Sequence, residues 1–287
     1  MPEKGALRTA LLTTLAMFAF AANSLLCRLA LGGETIDAAS FTTLRLASGA
    51  LMLWLVTRVG GGLDTHQQRR DWLSASMLFL YAATFSFAYT TLSTGTGALI
   101  LFGAVQLSMF LVGLKRGEHF PPLAWVGLVI ALAGLVYLVS PGISAPDPLG
   151  ALLMVAAGIS WGVYSLRGQG ANHPLHGNAH NFILALPMAL LVSLLFYNDR
   201  MLTTNGMMIA IFSGAIASGL GYIIWYTALK GLSATGAATV QLSVPVIAAF
   251  GGVALLSETV TTRLLIATAA TLGGVALALT RRRRANA

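Results

Sequence analysis

Arg45 is the residue best equipped for chemistry, because it stands inside the otherwise uncharged run SFTTLRLASGALMLWLV, Ser40–Val56. If that run is a helix, Arg45 lies about seven residues in, roughly 10 Å from its end at 1.5 Å per residue. A charge at that depth usually faces a cavity and marks a function. The carboxylate of a ligand would be a natural partner. The competing arrangement is a guanidinium that extends outward along its own alkyl stem toward Glu34 or Asp37.

Aromatic residues form the second set. Tyr81, Phe85 and Tyr89 recur every four residues and so share one helix face. Tyr222, Trp225 and Tyr226 cluster in a later apolar run. Trp161 and Tyr164 fall in the segment WGVYSL, which aligns with FAANSL and so with Phe20 and Asn23. Such stripes more often fill cores than line sites. In lipid, however, a Tyr O–H or Trp N–H needs a partner or water, which favours a cavity. Gln106, and Gln241 with Ser243, occupy corresponding regions. A glutamine within a membrane either hydrogen-bonds a neighbouring helix or holds a zwitterion. All of these are candidate substrate-binding positions.

What the chain lacks narrows the chemistry. Its acidic residues are Glu3, Glu34, Asp37, Asp64, Asp71, Glu118, Asp147, Asp199 and Glu258, and the pattern puts all of them in loops or at helix ends. A proton relay normally places a carboxylate or histidine within the membrane. The histidines, His66, His119, His173, His176 and His180, all fall toward one side. Facilitated exchange without carboxylate coupling is therefore expected. Glu118 and Glu258 each precede a helix, where a carboxylate favours free amides and the helix dipole; capping and coupling both fit them. His173, His176 and His180 have ligand-like spacing, but no Cys or Glu completes a site, so no metal is expected. Cys27 is the only cysteine, which rules out an intrachain disulfide. There is no HExxH, P-loop or GxGxxG, so no catalytic residue and no cofactor is expected.

The elements that must position these residues follow from composition. Of 287 residues, 56% are hydrophobic and only 9% charged. That is too few charges to cover a water-soluble fold, where about 25% is usual. The pattern predicts an all-α, polytopic integral membrane protein with ten transmembrane helices, near 7–30, 39–58, 71–92, 95–114, 121–140, 148–167, 178–197, 206–229, 233–256 and 262–280. Pro187 and Pro245 would interrupt the seventh and ninth. Lys4, Arg8, Arg58, Arg69, Arg70, Lys115, Arg116, Arg167, Lys230 and Arg281 to Arg284 fall on one side; Arg200 and Arg263 fall on the other, with Arg28 near a helix end. That asymmetry predicts cytoplasmic termini. The first apolar run is long enough to span, so it reads as a helix rather than a cleaved leader. The basic excess, a net +8, reads as a topology signal, so no nucleic-acid partner is expected.

An internal repeat organises the ten helices. Glu118 pairs with Glu258, Leu132 with Leu272, Gly134 with Gly274 and Ala98 with Ala238 at one constant offset. The turn in YTALKGLSATGAATV, Tyr226–Val240, echoes YTTLSTGTGA, Tyr89–Ala98. The halves are 1–144 and 145–287, with five helices each. An odd-numbered unit copied once must enter the membrane from the opposite side. That gives two inverted five-helix repeats around a central cavity, the usual arrangement of secondary transporters.

With NSLLCRLAL, SWGVYSL, GLKRGEHFPPLAWVGLVIALAG and LLSETVTTRLLIATAATLGG in place, the whole chain resembles the EamA-type exporters of the drug/metabolite transporter superfamily. Within them it is most similar to the aromatic amino-acid exporter branch. The resemblance implies export of amino acids or related small metabolites from a bacterial-type inner membrane, by a protein functional as a monomer in the lipid bilayer. It also implies proton coupling, against the missing carboxylate. A membrane-embedded transferase would need an acid/base constellation at one interface, and a channel a continuous polar lining; neither pattern is found.

Overall fold

A computed structural model describes residues 2–59, 71–115, 117, 120–168, 174–232 and 234–280. Glu118, His66, His119, His173, Arg69, Arg70, Arg116 and Arg281 to Arg284 lie outside the described residues. The chain is all α. In order come α1 (Pro2–Gly32), α2 (Ala38–Val59), α3 (Trp72–Ala88), α4 (Thr94–Lys115), α5 (Pro122–Val139), α6 (Pro148–Gly168) and α7 (Pro174–Leu195). Then α8 (Thr204–Phe212) runs through a π-helical stretch, Ser213–Leu220, into α9 (Gly221–Leu229), followed by α10 (Ala234–Gln241), α11 (Ser243–Leu256) and α12 (Thr262–Thr280). Among the described residues, 9 helical spans are long and apolar enough to cross a membrane, and Trp72–Ala88 is a shorter apolar helix.

Two expectations about the segments differ from the structure, and a third holds. Helix α3 ends at Ala88 rather than near 92. The Tyr89 amide folds back onto the Phe85 and Ser86 carbonyls, and the Thr90 and Thr91 amides onto those of Phe87 and Ala88, which closes the helix in a turn. Pro187 does not interrupt α7, which runs unbroken from Pro174 to Leu195. Pro245 does disturb its helix: lacking an N–H, it leaves the carbonyl four residues earlier unmatched, and the break falls at Leu242 between α10 and α11.

Hydrogen bonds sort the loops onto two faces. On one, the α1–α2 loop pairs with the loop before α8, through Asp37 N to Met201 O and Thr203 N to Thr35 O. The α3–α4 turn touches Asp147 before α6 through Thr91, at 3.2 Å. Arg263 at the start of α12 donates to the Ser140 and Pro141 carbonyls of the α5–α6 loop. On the opposite face, Arg167 at the end of α6 pairs with Asp71 before α3 at 3.0 Å. Burial raises the Asp71 carboxyl, but the Ser74 hydroxyl and amide and the Arg167 guanidinium outweigh it and hold it below its usual 3.8. Arg58, Lys115 and Arg167 stand in the last turns of the helices that end on this second face.

The helices pack α2 on α7, α3 on α6, α4 on α6 and on α11, and α1 on α9 and α11. Helices α5 and α12 pair off at the margin, each with only 28% of its apolar window buried. Their contact needs bare backbone. A Cβ on Gly127 would collide with the Gly274 carbonyl, and one on Gly274 with the Gly127 carbonyl and Ala131 amide, whereas Gly273 faces open space. Close approach through small residues is how helices adhere where lipid removes the hydrophobic drive. Gly127→Val is therefore expected to cost about 2 kcal/mol or more by overpacking, and Gly273→Val almost nothing. Thermal unfolding of both variants in detergent checks the contrast.

Candidate functional site

The centre of the bundle is aromatic. Phe20 of α1 meets Trp161 of α6 edge-on at 6.1 Å, Tyr222 of α9 at 6.2 Å and Trp225 at 5.6 Å. Tyr81 of α3 lies 4.9 Å from Trp161, and Tyr222 5.0 Å from it. Phe20, Asn23, Tyr81, Phe85, Trp161 and Tyr222 enclose a small cavity together with Ser24, Leu101 and Phe102. Its free space is about 10 Å3, room for roughly one water. This arrangement is closed and has no room for a metabolite.

Arg45 adjoins that cavity from α2. It is 1% exposed and does not reach Glu34 or Asp37. Its Nη2 donates to the Tyr81 hydroxyl at 3.1 Å and its Nε to the Ser218 hydroxyl at 3.1 Å. The guanidinium carbon sits 5.2 Å from the Tyr81 ring centre and 5.0 Å from that of Phe85. Cation–π contacts contribute about 0.5–2 kcal/mol each, and hydrogen bonds to a charged group about 1.5–3. Those partners offset much of the burial cost, but all are neutral. The site therefore keeps a full positive charge. The Arg45 Nη1 has no hydrogen-bond partner.

The Ser218 hydroxyl that meets Arg45, and the Ser213 hydroxyl that meets Asn23, come from an unusual turn. Ser213 donates to Asn23 Oδ1 at 2.8 Å, and Asn23 Nδ2 donates to Tyr81 OH at 3.2 Å. Ser213 and Ser218 are five residues apart. In an α-helix that spacing turns them about 140° away from each other. The i→i+5 bonding of the π-helix brings both inward. At Gly214 the π-helical backbone approaches the Arg45 carbonyl so closely that any side chain would clash.

Two layers close the cavity at each end. Toward the α1–α2 loop, Phe85 packs edge-on to Tyr89 at 4.7 Å, and Tyr89 OH donates to the Thr94 carbonyl at 3.3 Å. Above that, Glu258 accepts from the Thr94 amide at 2.9 Å and hydroxyl at 3.1 Å, with Arg28 Nε 3.5 Å away. Arg28 also donates to the Tyr89 and Thr90 carbonyls. Glu258 therefore caps α4, not the α12 it precedes; Thr261 caps α12 through the Leu264 amide. Toward the opposite face, Trp161 packs against Tyr164 at 5.7 Å, and Tyr164 OH donates to Asn178 of α7.

Of the positions picked from sequence, ten thus gather at or directly beside the cavity. The glutamines do not. Gln106 donates to the Ala238 carbonyl at 3.3 Å across α4 and α10, and Gln241 to the Ala237 carbonyl within its own helix. Ser24, Ser213, Ser218 and Asn178 escape a reading based on aromatics and charge. The Ser213–Ser218 pair is invisible at α-helical periodicity.

Residues 148–280 match the model of the EamA-like transporter family. The chain is 52% identical over 279 residues to an uncharacterized protein of Pseudomonas aeruginosa, covering 97% of this chain and 96% of that one. It is 25% identical over 241 residues to the uncharacterized transporter YwfM of Bacillus subtilis, 80% of each chain, and 22% identical over 238 residues to YoaV of the same organism, 79% and 82%. A crystal structure 19% identical in sequence superposes with a TM-score of 0.67 over 96% of this chain and 98% of the other, so the fold is shared along its whole length. A multi-helix apolar bundle whose second half matches that family model, and two of whose relatives are named as transporters, places the chain in the EamA-like transporter family of the drug/metabolite transporter superfamily.

Proposed function

We propose that this membrane transporter exports small amphipathic metabolites that carry a carboxylate on an apolar or aromatic body, a class that includes the apolar and aromatic amino acids. The observation that carries the reading is Arg45: a buried guanidinium with no carboxylate partner, hydrogen-bonded into an aromatic cavity. Arg45 receives the carboxylate, and Phe20, Trp161 and Tyr222 receive the body. Transport runs by alternating access between two inverted five-helix halves, 1–144 and 145–287, with both termini cytoplasmic. The packing supports this. Exchanging the halves turns α3 on α6 into α8–α9 on α1, and α4 on α6 into α11 on α1, and both members of each couple are present. The ties Tyr89–Thr94–Glu258–Arg28 at one end and Arg167–Asp71 at the other, each joining the two halves, act as the outer and inner gates, which open in turn.

Facilitated diffusion fits better than proton antiport, because the described carboxylates lie in loops and caps rather than in the cavity wall. Counterflow in proteoliposomes tests the carrier. Unlabelled substrate on the far side is expected to accelerate exchange of labelled phenylalanine or its deaminated analogue, without a pH gradient. Trp161→Ala is expected to reduce that exchange at least about 10-fold, since it removes an aromatic anchor of about 1.5 kcal/mol or more. Absence of trans-acceleration would favour a channel, and unchanged exchange in the variant would remove Trp161 from the site.

A further inference from the structure

The central site is not built for a zwitterion. Most of its acceptors are already in use. Tyr81 OH accepts from Arg45 Nη2 and from Asn23 Nδ2. Asn23 Oδ1 accepts from Ser213, and Ser218 Oγ accepts from Arg45 Nε. What remains unmet are Arg45 Nη1, a donor only, and the hydroxyls of Ser24 and Tyr222. An ammonium group would find no carboxylate in the described cavity wall, only the Ser24 and Tyr222 hydroxyls to accept from it, and would be held near a guanidinium of like charge. A carboxylate would find a free N–H and hydroxyls able to donate. The walls, Phe20, Phe85, Leu101, Phe102 and Trp161, are apolar and would surround the rest of the molecule once the closed arrangement opens to admit it.

Resting on the carrier reading above, we propose that the preferred cargo is a net-anionic aromatic or apolar monocarboxylate rather than an amino acid, and that its export is driven by the membrane potential. Charge balance gives the second part. Each outward turnover of a uniporter carries one negative charge out of the cell, and the described cavity wall has no carboxylate to carry a compensating proton. An inside-negative potential pushes that charge outward. At equilibrium each 100 mV sustains about a 50-fold excess outside. The carrier then needs no proton-binding carboxylate, which accounts for a cavity wall without one. A zwitterionic amino acid moves no net charge and gains nothing from the potential.

The test uses the purified full chain in proteoliposomes at equal pH on both sides, with a potassium gradient and valinomycin setting about 100 mV, inside negative. The probes are radiolabelled phenylpyruvate, which stays ionised and leaks slowly, phenylalanine, and phenethylamine. Phenylpyruvate is expected to reach an outside excess approaching 50-fold at that potential, and to compete for counterflow at least about 30-fold better than phenylalanine, the scale of one buried charge pair. Phenethylamine is expected not to compete. Arg45→Lys keeps the charge and is expected to keep the potential dependence with weaker binding. Equal competition by phenylalanine, insensitivity of phenylpyruvate distribution to the potential, or movement only under a pH gradient overturns the inference while leaving a carrier. Movement of none of the probes overturns the carrier reading and the inference with it. The wild-type distribution decides the matter even if a substitution at Arg45 fails to fold.

Discussion

Arg45→Gln is expected to lower counterflow by roughly 30-fold or more while the helical content of the protein is retained. The size follows from removing one partner of a desolvated charge pair, a loss of about 2–5 kcal/mol in the loaded state. The unloaded state pays in the other direction. A buried cation is costly in lipid, about 2.5–3.5 kcal/mol on insertion scales, and neutral partners only offset that cost. Glutamine removes the charge and still offers an amide to Tyr81 and Ser218. The variant should therefore melt no lower than the wild type while transport collapses. That opposition separates a functional cation from a structural one. If Arg45 instead organised the bundle, Arg45→Gln would lose melting temperature and transport together. Circular dichroism melts in detergent and counterflow on the same preparation make the measurement, and a stable variant with normal exchange would take Arg45 out of the binding site.

The same arginine shows how far the sequence could be read. Its depth in an apolar run was enough to set a buried charge against an outward-reaching one, but not to choose. The choice is made by residues far along the chain, Tyr81 and Ser218, and by a π-helical turn that no α-helical period reveals. The helical segments were legible because twenty-residue apolar runs admit few alternatives in lipid. The aromatic stripe Tyr81–Phe85–Tyr89 was legible as one face. That its middle lines the cavity and its end closes it depends on the Thr94 carbonyl and on Glu258, 164 residues away. Gln106 and Gln241 misled for the converse reason: a polar residue within a membrane must bond to something, and a neighbouring carbonyl serves as well as a ligand. The capping role of Glu258 was legible, but not its object. A carboxylate just ahead of α12 points to α12 by sequence, yet the left-handed Ser257, with φ 55°, ends α11 so that Glu258 meets α4 instead.

Glu258→Ala is expected to loosen the gate at that face, and the chain carries its own reporter. Glu258 belongs to the second half, whereas Thr94, Arg28 and the Tyr89 carbonyl belong to the first. If the halves part to open this face, the tie must break. It comprises an N-terminal cap, its interaction with the helix dipole and a partly exposed ion pair, together about 2 kcal/mol. Losing that much favours the open arrangement about 30-fold. Cys27 is the only thiol in the chain, is fully buried, and precedes Arg28 in α1. A membrane-impermeant maleimide should reach it only when this face opens. Its labelling is expected to be about 30-fold faster in Glu258→Ala than in the wild type, and to slow again when substrate holds the cavity shut. Thr261→Ala is the control, because Thr261 caps α12 without joining the halves; it should lower stability slightly and leave labelling unchanged. If Glu258→Ala melts earlier but Cys27 reacts no faster, the tie fixes the α4 terminus and has no part in gating.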